Sequence, residues 1–190
     1  MLYVFKGYSM MDRLYLHVPD VDEMWYRRRI MLDPQTMSYN RGYELDIEGY
    51  DRQTGCISFP QSRWQNWHDY FVDSEPDRFY AYIARREDFE FIGEVNLRKS
   101  QNGDWHDMGI VVESRYRGMG YAEEALGLLL QVAFEVCGAA EVRNCFESSR
   151  IAAAKAHRKA GFSVINEENG MLELAITRDE YEAIKNVRPE

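Results

Sequence analysis

The segment 106–138 constrains the fold most, because its side-chain period changes there without a linker. Met108, Ile110 and Val112 recur at every second position, as in a strand with one buried face. From Tyr121 onward, Ala125, Leu126, Leu128, Leu129, Val132, Ala133 and Val136 fall on one helical stripe that stops at Gly138. Only Glu-Ser-Arg-Tyr-Arg-Gly-Met-Gly, residues 113–120, lies between them. A strand therefore hands directly to a helix, and the unpaired N-terminal amides of that helix sit at the end of the strand.

The remaining segments supply a sheet with helices around it. Residues 79–85 and 90–97, rich in aromatic and β-branched side chains, flank a short charged turn and read as a hairpin. The turn Ser-Gln-Asn-Gly-Asp at 100–104 leads into the strand at 106–112. Further on, 141–146 reads as a strand, 151–160 as an Ala-rich helix closed by Gly161, and 162–176 as a hairpin turning near Asn169-Gly170. Capping chemistry marks helix starts at Asp20 with Glu23, Ser62 with Gln65, and Thr177 with Glu180. The first helix carries the stripe Val21, Met24, Trp25 and Leu32, the second Trp64, Trp67 and Phe71. Between them, 33–60 has no clean period and reads as a long loop, either bordering a site or packing irregularly.

With 190 residues, 45% of them hydrophobic, the chain can bury a core without disulfides or a structural metal. Its 23 Lys and Arg against 32 Asp and Glu leave a net charge of −9, which repels a phosphate backbone and argues against nucleic-acid binding. The acidic balance suits either a cationic partner or a surface kept soluble. Cys56, Cys137 and Cys145 are scattered and form no Cys-x-x-Cys pair, so we expect neither disulfides nor a zinc site, and a reducing cytoplasm as the setting. Residues 1–11 show no export signal, and no stretch approaches the ~18 apolar residues of a membrane span. His17 and His68 have no partner at metal-ligand spacing, so no metal is expected.

Chemistry concentrates at the strand–helix junction. Gly118 and Gly120 lack Cβ atoms, so an anion can approach the backbone amides of 117–122, assisted by the helix dipole. A nucleoside-triphosphate loop would need Gly-Lys-Ser/Thr here, and a dinucleotide fingerprint a third small residue where Glu123 stands. What remains is Arg115-x-x-Gly118-x-Gly120 after an apolar strand, together with Ile92-Gly93-Glu94, Asp107-Met-Gly-Ile, and His157-Arg-Lys-Ala-Gly161-Phe162. Over 91–162 this resembles the GNAT superfamily of acetyl-coenzyme A (acetyl-CoA) dependent N-acetyltransferases, most of all the branch containing ribosomal-protein N-terminal acetyltransferases.

The resemblance implies a single α/β (α+β) domain over 1–190, with a mixed, mostly antiparallel sheet splayed at the acetyl-CoA site and flanked by helices. Residues 1–75 would form the acceptor side, 79–176 the coenzyme-binding core and 177–190 a C-terminal helix. It also implies that Arg115, Arg117, Gly118, Met119, Gly120, Tyr121 and Ala122 cradle the coenzyme pyrophosphate. Backbone groups of Ile110, Val111 and Val112 would bind the pantetheine arm, with the amide near Val112 as oxyanion donor. Three positions depart from the family pattern. Arg150 and Ala153 stand where Asn and Ser are frequent, and His157 replaces a frequent Tyr.

Acetyl transfer to an amine calls for a base, an oxyanion donor and an acid. His157 is the expected acid and Asp107 or Glu94 the expected base, with His106 a lesser candidate. Trp25, Tyr26, Trp64 and Trp67 either line an acceptor pocket or pack in the core, packing being the stronger expectation for Trp64 and Trp67. The acceptor would be a primary amine of a small molecule or a peptide N-terminus, on a protein that touches neither nucleic acid nor membrane; the sequence leaves its oligomeric state open, a homodimer being frequent in such families. The competing reading is a coenzyme-binding module without turnover.

Overall fold

The protein is described by a computed structural model over residues 13–74 and 76–187, so the leader-free reading of 1–11 falls outside the described residues. Its strands are β1 (Leu14–His17), β2 (Arg78–Arg85), β3 (Phe91–Lys99), β4 (His106–Val112), β5 (Glu141–Glu147), β6 (Ser163–Glu168) and β7 (Met171–Thr177). They form one sheet in the order β1-β2-β3-β4-β5-β7-β6, antiparallel except where β4 meets β5. The mixed, mostly antiparallel sheet expected from the resemblance is therefore present. β1 escapes sequence reading because Leu-Tyr-Leu-His, ahead of Val18-Pro19, is too short to establish a period.

Alternation along β2 shows how the layers arise. Phe79, Ala81 and Ile83 face one core and Tyr80 and Tyr82 another, so the strand is covered on both sides. The first core lies under α3 (Tyr121–Gln131), α4 (Ile151–Ala160) and α5 (Arg178–Val187), with Leu126, Leu129, Phe134, Phe146 and Phe162 buried in it. On the opposite face, α1 (Trp25–Met31), α2 (Trp64–Phe71) and the 33–60 loop enclose a second, aromatic core. That loop is irregular, as its sequence suggests, but Met37, Cys56 and Phe59 are buried in this core, so it is a packed wall.

Two of the three capping expectations hold. Asp20 N–H donates to the Glu23 carboxylate at 2.9 Å, and Thr177 N–H to Glu180 at 2.8 Å. The third does not. A 3-10 turn, Gln61–Arg63, follows Pro60 ahead of α2, and the Gln65 amide donates along the helix to Asp69 at 2.7 Å instead of back to Ser62. The α3 stripe continues through a π-helical turn, Val132–Val136, before Gly138 adopts φ 69°. In the β6–β7 turn, Asn169 and Gly170 both take positive φ, as a two-residue hairpin turn requires. No helix among the described residues is long and apolar enough to cross a membrane.

Candidate active site

β4 and β5 pair only at His106 with Val142 and Asp107 with Arg143. Beyond that point β4 stays bonded to β3 as far as Val112, while β5 stays bonded to β7 along its length, so the two half-sheets diverge. A gap opens from Met108 onward. Glu113 N–H donates to the Ile92 carbonyl at 2.9 Å. By the alternation of an antiparallel ladder, Val111, Gly109 and Asp107 direct their backbone groups to β3, whereas Val112, Ile110 and Met108 direct theirs into the gap. A Cβ on Gly93 would lie 2.2 Å from the Val111 carbonyl, so that neighbour must be glycine. The set of three residues expected to offer backbone groups is thus narrowed. Val111 is committed to β3, and the Val112 carbonyl already accepts from Arg117 Nε at 3.1 Å, leaving Ile110 and the Val112 N–H.

At the open end of the gap the chain makes a 3-10 turn, Ser114–Tyr116, and enters α3 through Gly118 (φ 77°) and Gly120 (φ 82°). The N–H groups of residues 118–122 have no acceptor among the described residues. A Cβ at Gly118 would meet nothing within 4 Å, and one at Gly120 only Arg13 Nη2 at 3.4 Å. Unpaired amides at a helix N-terminus, with room beside them, suit a phosphate. The Met119 carbonyl accepts from Arg13 Nη1 at 3.1 Å, Tyr121 is buried beneath the Arg13 guanidinium, and Ala122 packs on the first core. Arg115 is engaged elsewhere. Its Nε pairs with Glu113 at 2.9 Å and its Nη2 with Glu90 at 2.8 Å, so the backbone forms the cradle and Arg115 braces the turn.

The residues expected to run the chemistry are not brought together. His157, expected as the acid, is 2% exposed, packed between Phe146 and Phe162 with ring centroids 5.1 Å from each. Its Nδ1 lies 2.9 Å from the Ala153 carbonyl, which can only accept, so Nδ1 carries the proton and Nε2 accepts from Asn144 Nδ2 at 2.9 Å. Burial pushes its pKa down, outweighing the bond to Ala153. A neutral, doubly bonded core imidazole is a structural group, and this geometry argues against the acid assignment. His157→Ala should cost about 2–4 kcal/mol in denaturant unfolding by opening a cavity and freeing Asn144. Coenzyme affinity and turnover of the folded fraction should persist; lost turnover at unchanged stability would restore the acid. Because the folded-state pKa is depressed, the unfolded chain takes up the proton first. The contribution of His157 is complete above its unfolded pKa near 6.5 and is lost as pH falls below that value.

Glu94 is buried on the second-core face of β3, ion-paired with Arg27 and accepting from the Tyr80 hydroxyl. Burial, then the neighbouring Glu94 charge, push the Tyr80 pKa far up, so its hydroxyl remains a donor. Both Glu94 oxygens are partnered and its side chain is only 5% exposed. Asp107 is different. It lies across from Arg98 at 3.5 Å, accepts from Trp105 Nε1 at 3.1 Å, and its side chain is 42% exposed. Together with Phe71, Asn96, Arg98 and Met108 it lines a cleft at the closed end of the gap. His106, one residue earlier, is buried, and burial pushes its pKa down.

The aromatic residues divide likewise. Tyr26 is fully buried, Trp64 donates Nε1 to the Phe59 carbonyl at 3.3 Å, and Trp67 stacks on Phe71 with the Arg27 guanidinium 4.2 Å from its ring. All three pack in the second core. Of the four, Trp25, at 48%, is the most exposed, while Trp64 and Trp67 are half-buried. His17 Nε2 lies 2.7 Å from Glu23. Contrary to the sequence reading, His68 does have neighbours: Asp69 and Asp73 bring ligand atoms within 4.8 Å of it and of each other. Its Nε2 donates to the Pro19 carbonyl at 2.9 Å and its Nδ1 faces Asp73 at 3.5 Å, which ties α2 to the chain before α1.

A strand–gap–cradle arrangement of this kind defines a class. The family model for the acetyltransferase (GNAT) domain matches residues 13–163, and the chain belongs to that family. No curated protein matches. Among solved structures, spermidine N-acetyltransferase from Vibrio cholerae, in complex with CoA and spermine, superposes with a TM-score of 0.69 at 13% identity, covering 90% of this chain and 98% of that one. FdhC, a nucleotide-linked sugar GNAT, gives 0.67 at 16% identity over 93% and 94%. A GNAT-family acetyltransferase from Bacillus anthracis gives 0.66 at 13% over 88% and 96%. At these identities the likeness is one of fold.

Proposed function

We propose that this protein is a single-domain, cytoplasmic N-acetyltransferase moving an acetyl group from acetyl-CoA to a primary amine of a small molecule or a peptide N-terminus. The observation that carries the reading is the β4–β5 gap ending on the unpaired amides of residues 118–122. When bound, the coenzyme supplies the acetyl thioester. Amides of 118–122 hold its pyrophosphate, and Ile110 and Val112 present backbone groups along its arm, with an N–H available to the thioester carbonyl oxygen. Asp107, in the cleft where the gap closes, takes the proton from the attacking amine and passes it to solvent. No side chain need protonate the departing thiolate, a tolerable leaving group, so the scheme does not depend on His157.

The acceptor class follows from the same cleft and from the charge. A net −9 favours a cationic amine, and one of the structures similar in fold is named for spermidine. Asp107→Asn should lower kcat about 10²-fold or more while acetyl-CoA affinity, measured by titration, stays within about twofold. Equal turnover in variant and wild type would remove Asp107 from the mechanism.

A further inference from the structure

The family pattern calls for a cation at the cradle, yet both arginines inside the motif are engaged elsewhere. Arg115 is divided between the carboxylates of Glu113 and Glu90. Arg117 turns to three carbonyls, donating Nε to Val112 O at 3.1 Å, Nη1 to Gln35 O at 3.3 Å and Nη2 to Thr36 O at 2.6 Å. The first turn of α3 meanwhile carries Glu123 and Glu124, whose charges oppose any anion that approaches the amides of 118–122. Lys159, from α4, covers Glu123 at 2.8 Å. Glu124 is covered by Arg13, the residue just before β1.

Arg13 Nε and Nη2 each lie 2.9 Å from Glu124 Oε2, and Nη1 donates to the Met119 carbonyl at 3.1 Å. Its guanidinium carbon stands 4.5 Å from the centroid of the Tyr121 ring, and Nη2 is 3.4 Å from where a Cβ on Gly120 would be. Residues 119, 120 and 121, whose amides belong to the cradle, thus all lie against this one side chain. A guanidinium has five N–H groups, and these contacts use three of them. One N–H on Nη1 and one on Nη2 have no acceptor among the described residues, and the side chain is 50% exposed. An oriented fork of donors beside unpaired amides matches the two-oxygen edge of a phosphate. Glu124 holds the main chain here as well. Its Oε1 accepts the backbone N–H of Arg13 at 2.6 Å and of Leu14 at 2.8 Å, bonds that do not depend on the side chain at position 13.

We propose that Arg13 is the cationic side chain that binds the coenzyme pyrophosphate, in the role which the family pattern gives to Arg115. The inference rests on the acetyl-CoA reading of the cradle and adds to it a ligand from the start of an edge strand. Because the main-chain bonds to Glu124 persist, Arg13→Met should keep β1 docked on α3, lowering the Tm of the unliganded protein by no more than about 2–4 °C. Calorimetric titration of the full chain supplies the test, with coenzyme A and with dephospho-coenzyme A, which lacks the 3′-phosphate but keeps the pyrophosphate. The Kd for both should rise at least about tenfold in Arg13→Met. Arg13→Lys should recover part of the loss, since the charge returns without the fork. In Arg115→Met either Kd should rise no more than about threefold. Wild-type affinity in Arg13→Met, or a larger loss in Arg115→Met, overturns the proposal. A loss confined to coenzyme A would move Arg13 to the 3′-phosphate and overturn its placement on the pyrophosphate. Lost affinity together with faster amide exchange across 121–125 in the unliganded variant would make Arg13 a brace of the helix start, and would overturn the direct contact. Wild-type protein that binds neither ligand would refute the acetyl-CoA reading and the proposal with it, whereas binding that is indifferent to Arg13 refutes the proposal alone.

Discussion

Gly118→Val is expected to abolish coenzyme binding while leaving the unliganded fold close to intact. The added Cβ meets no protein atom within 4 Å, so the clash is with whatever approaches the amides of 118–122. At φ 77° a β-branched residue is also strained, by about 1–2 kcal/mol or more, which tilts the turn away from the conformation that aims those amides outward. Together these should weaken acetyl-CoA binding at least about 10²-fold, since several charge-assisted bonds are lost at once. Gly118→Asn is the control, because Asn tolerates left-handed φ better; it should retain more affinity than Val. Wild-type affinity in Gly118→Val would refute the cradle.

Arg27→Met should be the most destabilising single change. Arg27 and Glu94 are 17% and 5% exposed, and the guanidinium is sandwiched among Trp67, Phe59 and Tyr80. Removing it strands a buried carboxylate, a loss of about 3–5 kcal/mol. For a domain of this size that lowers Tm by roughly 10 °C. The second substitution identifies the cause. Arg27→Met combined with Glu94→Gln should recover much of the loss, because no charge is then left uncompensated. Equal destabilisation in single and double variants would mean that Arg27 acts through its packing on Trp67 rather than through its charge. Neither substitution touches Asp107, whose side chain is 42% exposed, so the double variant should retain transfer once folded.

The parts legible in the sequence are those with a local period. The 79–97 hairpin, the β4–α3 junction and the Asn-Gly turn each carry their signal within a few residues, and all appear in place. What is not legible depends on partners distant in the chain. His157 sits beside Arg158 and Lys159 on a helix, which reads as surface, yet Phe146 and Asn144 on β5 and Phe162 beyond the helix make it core. In the sequence only the three-residue spacing of Ala154 and His157 places them on one face of α4, and burial of that face is visible only in the structure. Glu94 reads as a strand carboxylate until Arg27, on a helix from the other end of the chain, is placed over it. Likewise nothing local in Gln35-Thr36-Met37-Ser38-Tyr39 announces that two arginines far along the chain will bind its carbonyls.

The central claim, that the β4–β5 gap and its cradle bind acetyl-CoA for transfer, is tested most directly by melting the wild-type protein with and without acetyl-CoA, then assaying thiol release with amines on the same sample. At a concentration about 100 times Kd, binding to the folded state alone adds about 2.7 kcal/mol, a Tm rise of roughly 5–10 °C. The account predicts that rise, its disappearance in Gly118→Val, and thiol release with at least one amine. No rise at millimolar acetyl-CoA would contradict it.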